Sequence, residues 1–179
     1  MSGNVYPILP YPKQMVTCAP YDPRAPDVAA ALADMITTLL PSVTVEHFGS
    51  TAVPGCAGKG VIDLMILYDD VLIETLVDQL ERLGFQWVQR LAQLPDEWPK
   101  GMGAVRHMGD VFRLHIHVLP RRHPMVLTNR AFRDLLRSDA TVVAAYVACK
   151  QALLAMGTSE PIAYTQAKMP FIRSFLETD

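Results

Sequence analysis

The spacing of hydrophobic and polar positions changes along this chain, and the changes predict its secondary structure. Residues 61–68, VIDLMILY, form a near-continuous apolar run that is typical of a buried strand. Residues 43–48, VTVEHF, alternate in polarity and predict a second strand. Residues 69–85 place Leu and Val at helical spacing and reach Gly84, a common residue after a helix end, so they predict a helix.

Weaker patterns predict the neighbouring elements. A helix is expected at 28–40, with Asp27 as its N-cap and Pro41 after its end. Short strands are expected at 15–19 and 85–91, a loop at 93–103, and a hairpin of two strands at 104–108 and 111–120 around a Gly-Asp turn.

The last third of the chain has a helical pattern throughout. Helices are predicted at 129–138, 140–157 and 161–177, and Pro170 is expected to kink or divide the third. The three prolines within 1–14 predict an extended arm. The 179 residues favour a single domain, 1–179, with a helical part at 128–178. The expected fold class is α+β, a small mixed sheet flanked by helices with a C-terminal helical layer.

Composition and charge exclude several classes of protein. A net charge of −2 is no footprint for non-specific binding of nucleic acid. Residues 1–99 carry 5 Lys and Arg against 12 Asp and Glu, whereas 100–179 carry 11 against 6. Either the acidic half holds a metal and the basic half an anion, or the halves simply attract each other.

Cysteine usage and hydropathy bear on the compartment. The chain has three cysteines and no Cys-x-x-Cys, which argues against a disulfide framework and a structural zinc site. It also lacks a signal-peptide pattern and a run of about 18 apolar residues. A cytoplasmic protein with no membrane partner is expected.

Two glycine-containing stretches suggest phosphate chemistry. Gly49 permits close backbone approach, and Ser50 and Thr51 offer hydroxyls and amides that suit phosphate oxygens, although a simple turn has the same sequence. The GCAGKG stretch at 55–60 does not make a P-loop. Val53 stands where its first glycine belongs, and Lys59 precedes a strand instead of opening a helix.

Asp63 lies inside a strand that is predicted to be buried. A buried carboxylate needs a cation, a network of donors or a metal. His115 and His117 point to one face of a later strand and can share a metal, with His47 as a third candidate. Ordinary core or surface positions explain such histidines equally well.

The predicted C-terminal helices repeat a tyrosine–lysine pair. Tyr146 with Lys150, and Tyr164 with Lys168, are four residues apart and share a helix face. Such pairs can bind an anionic substrate, or their stems can cover a helix surface. Arg133 is a further candidate for anion binding, unless Asp134 pairs with it.

The stretch EHFGSTAVPGCAGKGVIDLMI, residues 46–66, closely resembles the signature of GrpB-family proteins, a His-x-Gly-Ser-Thr-x-Val-Pro-Gly loop before a strand with an Asp. PYDPRAPD, LHIHV, AFRDLLR, YVACK and YTQAKMPFI extend the resemblance over about 16–175. It implies a branch of the nucleotidyltransferase fold. Such a fold places a Gly-Ser turn near a triphosphate and acidic metal ligands on the next strand.

This sequence departs from the active enzymes of that fold at the second acid. The resemblance makes Asp63 the first acid, catalytic and metal-binding, whereas Met65 occupies the place of the second. Asp69 and Asp70 lie beyond the strand and are expected to cap the next helix. A metal bound by Asp63, His115 and His117 would be Zn²⁺ or Mn²⁺ rather than Mg²⁺, and its identity stays open.

Taken together, the resemblance implies a nucleotidyltransferase-like protein that binds a nucleotide or another phosphorylated small molecule and transfers a nucleotidyl group with a metal. The phosphate- and substrate-binding residues would be Gly49, Ser50, Thr51, Lys59, Arg133, Lys150 and Lys168. The alternative, which Met65 favours, is a non-catalytic binder with a degenerate metal site. A metal-dependent hydrolase built on the two histidines is a third hypothesis, and the substrate and oligomeric state stay open.

Overall fold

A computed structural model describes residues 6–87 and 99–176 of the chain. The strands are β1 (Thr44–Phe48), β2 (Val61–Tyr68), β3 (Gln86–Trp87), β4 (Lys100–His107) and β5 (Asp110–Pro120). The helices are α1 (Ala25–Leu39), α2 (Ile73–Arg82), α3 (Pro124–Ser138), α4 (Ala140–Ala155), α5 (Pro161–Ala167) and α6 (Met169–Leu176), with a 3₁₀ turn at Ser50–Ala52.

The strands form one mixed sheet in the order β1-β2-β5-β4-β3. β2 and β5 run parallel at its centre, and the other pairs are antiparallel. The register places Asp63 beside His115 and Met65 beside His117, while Lys100 is the partner of His117 on the other side. Because alternate residues of a strand share a face, these side chains all belong to one face of the sheet.

The other face of the sheet carries the main hydrophobic core. Alternate residues of β2 and β5 pack there against α1 and α2, which bury one stripe each; they include Ile62, Leu64, Ile66, Leu114, Ile116 and Val118. A second cluster joins α3 and α4 to the loop after the 3₁₀ turn, through Val53, Cys56, Phe132, Leu136, Val142 and Tyr146. The sheet therefore has one apolar face and a second face, called the polar face below, that is polar around Asp63 and His115. Toward α3 this second face also carries a smaller buried cluster of Met65, Leu67, Leu119 and Val126.

The predicted fold class is confirmed. The observed sheet is mixed, the hairpin of β4 and β5 is present, and the last third of the chain is helical. The third C-terminal helix is divided into α5 and α6, with Pro170 in the first turn of α6, where a proline needs no hydrogen-bond donor. In the described part of the chain, no helix combines the length and apolarity that crossing a membrane requires.

Several boundaries were predicted wrongly. Asp27 does not cap α1, which begins at Ala25 because Asp22 accepts from the backbone N–H of Arg24 and starts the turn earlier. Asp70 does not cap α2, whose N-cap is Leu72, and Asp69 instead pairs with Arg121 at 2.9 Å. Helix α3 begins at Pro124, before the predicted start.

The predicted loop at 93–103 is also wrong over its last residues, since Lys100–His107 is a strand. Its glycines make room for neighbours: a Cβ on Gly101 would lie 2.7 Å from Cγ1 of Ile116, and one on Gly103 2.7 Å from Cγ2 of Ile8. Of the predicted strand 85–91, Gln86–Trp87 is observed, and 88–98 lie outside the described residues. The predicted strand 15–19 amounts to a single bridge between Ala19 and Gly58.

Candidate functional site

The Gly-Ser turn lies against the carboxylate of Asp63. β1 ends at Phe48, and Gly49 follows with φ 73° and ψ −171°, a backbone conformation that is essentially restricted to glycine. A Cβ at this position would lie 2.7 Å from Oδ2 of Asp63. Glycine is therefore required both by the dihedral angles and by the close approach of the backbone to the carboxylate.

Asp63 belongs to a chain of three polar side chains. Its Oδ1 lies 3.3 Å from Nδ1 of His115, and Nε2 of His115 lies 3.2 Å from the hydroxyl of Tyr11. Burial lowers the pKa of His115, so a neutral imidazole donates to the carboxylate. Burial acts to raise the pKa of Asp63, but the hydrogen bond from His115 and the charge of Lys59 hold that pKa well below its usual range.

Several lysines lie in the region of this carboxylate. The chain has five lysines. Three of them, Lys59, Lys100 and Lys150, act electrostatically on Lys168. Burial and then the charge of Lys59 lower the pKa of Lys168 to about 8, and Asp63 opposes that fall. Burial also lowers the pKa of Lys100, again against the attraction of Asp63. Four of the five lysines thus share one region of the polar face.

Lys150 connects the helical layer to the Gly-Ser turn. It is 1% exposed, and its Nζ donates to Oγ of Ser50 at 3.1 Å and to the backbone carbonyl of Ala57. The same nitrogen lies 3.4 Å from Sγ of Cys56 and 4.3 Å from the centre of the Tyr146 ring. An ammonium held by one hydroxyl, one carbonyl and one aromatic face has no carboxylate among these partners. A bound anion would supply the missing charge.

Two of the residues predicted to bind phosphate have structural contacts. The hydroxyl of Thr51 is buried, donates to the carbonyl of Val61 at 3.0 Å and lies 2.9 Å from Nε2 of His47. Burial lowers the pKa of His47 to about 4. Because its one proton already has a partner, the Thr51 hydroxyl fastens the turn to β2.

Arg133 also lies at the margin of the site. Its guanidinium contacts Asp134 at 2.8 Å, Glu46 at 3.5 Å and the carbonyl of His47 at 3.2 Å. Arg130 binds the same glutamate, with two guanidinium nitrogens donating to the two carboxylate oxygens. These bonds attach α3 to β1, which is the structural role that pairing with Asp134 suggested.

The residues predicted to bind a metal lie on one face of the sheet but make different contacts. Asp63 and His115 contact each other, but His117 packs edge-on against Phe48, with ring centres 5.1 Å apart. Burial lowers the pKa of His117 to about 3. Met65 is fully buried, and its sulfur accepts from the side-chain amide of Asn129 at 3.5 Å. Within 6–87 and 99–176, no three His, Cys, Asp or Glu side chains are arranged to hold a metal ion.

Three residues of the site escaped prediction from the sequence. Tyr11 lies in the proline-rich arm, and Lys100 lies within the stretch 93–103 that was predicted as a loop. Arg113 lies on β5 and donates to the carbonyl of Lys59. The alternation of β5 did carry a signal for Arg113, since 113, 115 and 117 share a face. No local pattern distinguishes the other two.

Comparison with known proteins gives the family and the fold. The sequence profile of the family described as GrpB protein matches residues 15–178. A UPF0157 protein from Pseudomonas aeruginosa is 35% identical over 156 residues, which cover 83% of this chain and 61% of that protein. A UPF0157 protein from Streptomyces coelicolor is 35% identical over 132 residues, 73% of this chain and 65% of the relative. The chain therefore spans less than two thirds of the length of either relative.

Solved structures give the same fold. The crystal structure of the conserved protein GrpB from Enterococcus faecalis superposes with a TM-score of 0.71 at 22% identity, over 88% of this chain and 93% of that one. A cytoplasmic RNA terminal U-transferase gives 0.54 at 18% identity, over 84% and 48%. Cid1 in complex with its short product ApU gives 0.52 at 18% identity, over 75% and 42%. The chain has a nucleotidyltransferase-like fold.

Proposed function

Because this chain belongs to the GrpB family, whose fold resembles that of nucleotidyltransferases, we propose that it binds a nucleotide or another phosphorylated small molecule on the polar face of its sheet. The ligand's phosphates lie between the Gly49–Ser50 turn and the lysines. Lys59, Lys100, Lys150 and Lys168 supply the positive charge, and Ser50 together with the backbone of the turn supplies hydrogen bonds.

The observation that carries this proposal is the concentration of four lysines in one region of the polar face. Like charges that lower one another's pKa destabilise the free protein, and such an arrangement is characteristic of a site for an anion. Arginines elsewhere in the chain pair with acids, as Arg130 does with Glu46 and Arg24 with Asp22. Lys150 has no such partner among the contacts of its ammonium.

The nucleotide class is supported by the fold. Cid1 has been solved with ApU, and a second neighbour is an RNA terminal U-transferase, so ligands of this kind are handled by proteins of the same architecture. At 18% identity the likeness extends to the fold alone, and the residues that choose a base or sugar have to be found by experiment.

A pair of divalent metal ions does not fit the residues present. Such a pair needs several carboxylate ligands, whereas β2 offers Asp63 and, at the next position on the same face, the buried Met65. Asp63 also already accepts a hydrogen bond from His115. In this proposal the lysines therefore neutralise the phosphates, and no step depends on a metal. The binding of one softer ion by Asp63, His115 and His117 stays a prediction.

Metal-dependent nucleotidyl transfer is the second candidate function. One observation favours it: the backbone of the Gly49 turn lies directly against the first acid, Asp63, on the neighbouring strand. It requires multiple-turnover release of pyrophosphate that depends on added Mn²⁺, Zn²⁺ or Mg²⁺ and is lost in Asp63→Ala. Ligand binding without such turnover leaves the binding function alone.

The test is calorimetric titration of the full chain with ATP, GTP, CTP and UTP in turn, in EDTA. At least one nucleotide is expected to bind, and Lys150→Met is expected to weaken that binding by at least tenfold. Lys13→Met is the matched control, because Lys13 is the fifth lysine and is exposed. If none of the four nucleotides binds in EDTA, a nucleotide is not the ligand, and if both variants weaken binding equally, the proposed lysine site is wrong.

A further inference from the structure

The hydroxyl of Tyr11 lies next to the His115–Asp63 pair in the candidate site. It lies 3.2 Å from Nε2 of His115, whose Nδ1 lies 3.3 Å from Asp63. A carboxylate that fixes the imidazole tautomer leaves Nε2 free to accept a proton from that hydroxyl. We propose that Tyr11 is the site of self-nucleotidylation, accepting a nucleoside monophosphate from a bound nucleoside triphosphate.

The N-terminal segment holds Tyr11 in this place by several contacts. Leu9 and Ala104 exchange two backbone hydrogen bonds, of 2.7 and 2.9 Å, so the segment extends the sheet beside β4. Ile8 fills the space that Gly103 leaves open. The backbone N–H of Tyr11 then donates to Oε1 of Gln86 at 3.0 Å. A segment fixed by these contacts presents the Tyr11 hydroxyl in a defined position.

The covalent step follows from these positions. The phenolic oxygen of Tyr11 attacks the α-phosphorus, and its proton passes to Nε2 of His115. The bond between the α-phosphorus and the oxygen that bridges it to the β-phosphate breaks, and pyrophosphate leaves. The nucleoside triphosphate is the only co-reactant, and no oxidant or reductant is needed. The proposal rests on the nucleotide binding proposed above.

The charges around Tyr11 favour this step. Arg113 lies beside the phenol and stabilises the developing phenolate, against the effect of burial, which raises the pKa of Tyr11. Lys59 and Lys100 flank Asp63 and supply positive charge for the leaving pyrophosphate. Tyr11 is half-buried, so the ring packs against His115 with centres 5.4 Å apart while one side of it stays accessible.

The same segment offers a matched control. The hydroxyl of Tyr6 lies 3.1 Å from Nδ1 of His107, so it too forms a tyrosine–histidine pair. His107 is at the opposite end of β4 from Lys100. A reaction that any tyrosine beside a histidine could undergo would modify Tyr6 as well as Tyr11.

The experiment is incubation of the full chain with ATP, GTP, CTP or UTP, with EDTA and separately with Mn²⁺, followed by intact-mass and peptide mass spectrometry. One nucleoside monophosphate is expected on Tyr11 with at least one nucleotide, and on no other residue. Tyr11→Phe should abolish the adduct, and Tyr6→Phe should leave it unchanged. His115→Gln should slow it about 100-fold, the effect of a lost general base, while calorimetric binding is retained.

The outcomes separate this proposal from the function on which it rests. Nucleotide binding by calorimetry without any adduct on Tyr11 overturns self-nucleotidylation and leaves the binding function standing. An adduct that persists in Tyr11→Phe, or that appears on Tyr6, also overturns it. Absence of nucleotide binding overturns self-nucleotidylation together with the nucleotide binding on which it rests.

Discussion

Replacing Lys168 by methionine is expected to stabilise the free protein at neutral pH. Burial and the neighbouring lysines lower the pKa of Lys168 from 10.5 to about 8, a difference that corresponds to about 3 kcal/mol of destabilisation when the group is charged. The ammonium also lies 5.0 Å from the centre of the Tyr164 ring, a contact that contributes about 1 kcal/mol. Lys168→Met should therefore raise the free energy of unfolding by about 2 kcal/mol at pH 7.

The sign of this effect fixes its pH dependence. Below the folded-state pKa of about 8, the folded protein carries the charge and the full cost applies. Between pH 8 and 10.5 the folded protein loses the proton before the unfolded chain does, so the destabilisation by the charge decreases. The difference in stability between the variant and the wild-type protein therefore becomes smaller. The advantage of Lys168→Met should fall to about 1 kcal/mol by about pH 9.5.

Urea unfolding of the wild-type chain, Lys168→Met and Lys13→Met at about pH 7 and about pH 9.5 measures these differences. Lys13 is exposed, so its replacement should change the free energy of unfolding by less than about 0.5 kcal/mol at either pH. A Lys168→Met variant that is less stable than the wild type at neutral pH would refute the reasoning. So would a stability difference that does not change between the two pH values.

The remaining predictions concern the turn and its supports. Gly49→Ala should lower the free energy of unfolding in urea by about 3 kcal/mol. Gly55→Ala should lower it clearly less, because Gly55 also has a positive φ but has no atom within 4 Å of the point where a Cβ would lie. Equal losses of stability in the two variants would exclude the close approach of Gly49 to Asp63. Thr51→Val should lower the free energy of unfolding by about 1–2 kcal/mol, because the Thr51 hydroxyl donates to the carbonyl of Val61. Nucleotide affinity measured by calorimetry should not change. A loss of affinity would show that Thr51 binds phosphate. Glu46→Gln should lower the free energy of unfolding by about 1 kcal/mol at pH 7 and leave it unchanged near pH 3. The reason is that Arg130 lowers the pKa of Glu46, and the stabilisation is lost as the carboxyl is protonated. A stability difference that persists at low pH would show another cause.

Local patterns were sufficient for much of the fold. The apolar run at 61–68 and the alternation at 111–120 became the two central parallel strands, because burial on one or both faces dictates those patterns. Residues 100–103 were predicted as loop because the stretch 93–103 is polar and holds two prolines along with the glycines at 101 and 103. These two glycines do not mark a loop. Their actual role is to leave space for Ile116 and Ile8, which only the packed structure reveals.

The site was predictable in part for the same reason. Helical spacing placed Lys150 beside Tyr146 and Lys168 beside Tyr164, and each ammonium does lie over its ring, at 4.3 and 5.0 Å. The contact of Tyr11 with His115 joins residues 104 positions apart and leaves no local trace in the sequence. Whether Thr51 binds a phosphate or the backbone also depends on a distant partner, the carbonyl that Val61 presents.

The central claim is that lysines, and no metal ion, neutralise a phosphorylated ligand beside Asp63. Calorimetric titration of wild-type chain and Lys150→Met with the tightest-binding of the four nucleoside triphosphates, in EDTA and then in Mg²⁺, tests it most directly. Equal wild-type affinity in both buffers, with at least a tenfold loss in Lys150→Met, is the predicted result. Binding that requires Mg²⁺ and is indifferent to Lys150→Met would contradict the account.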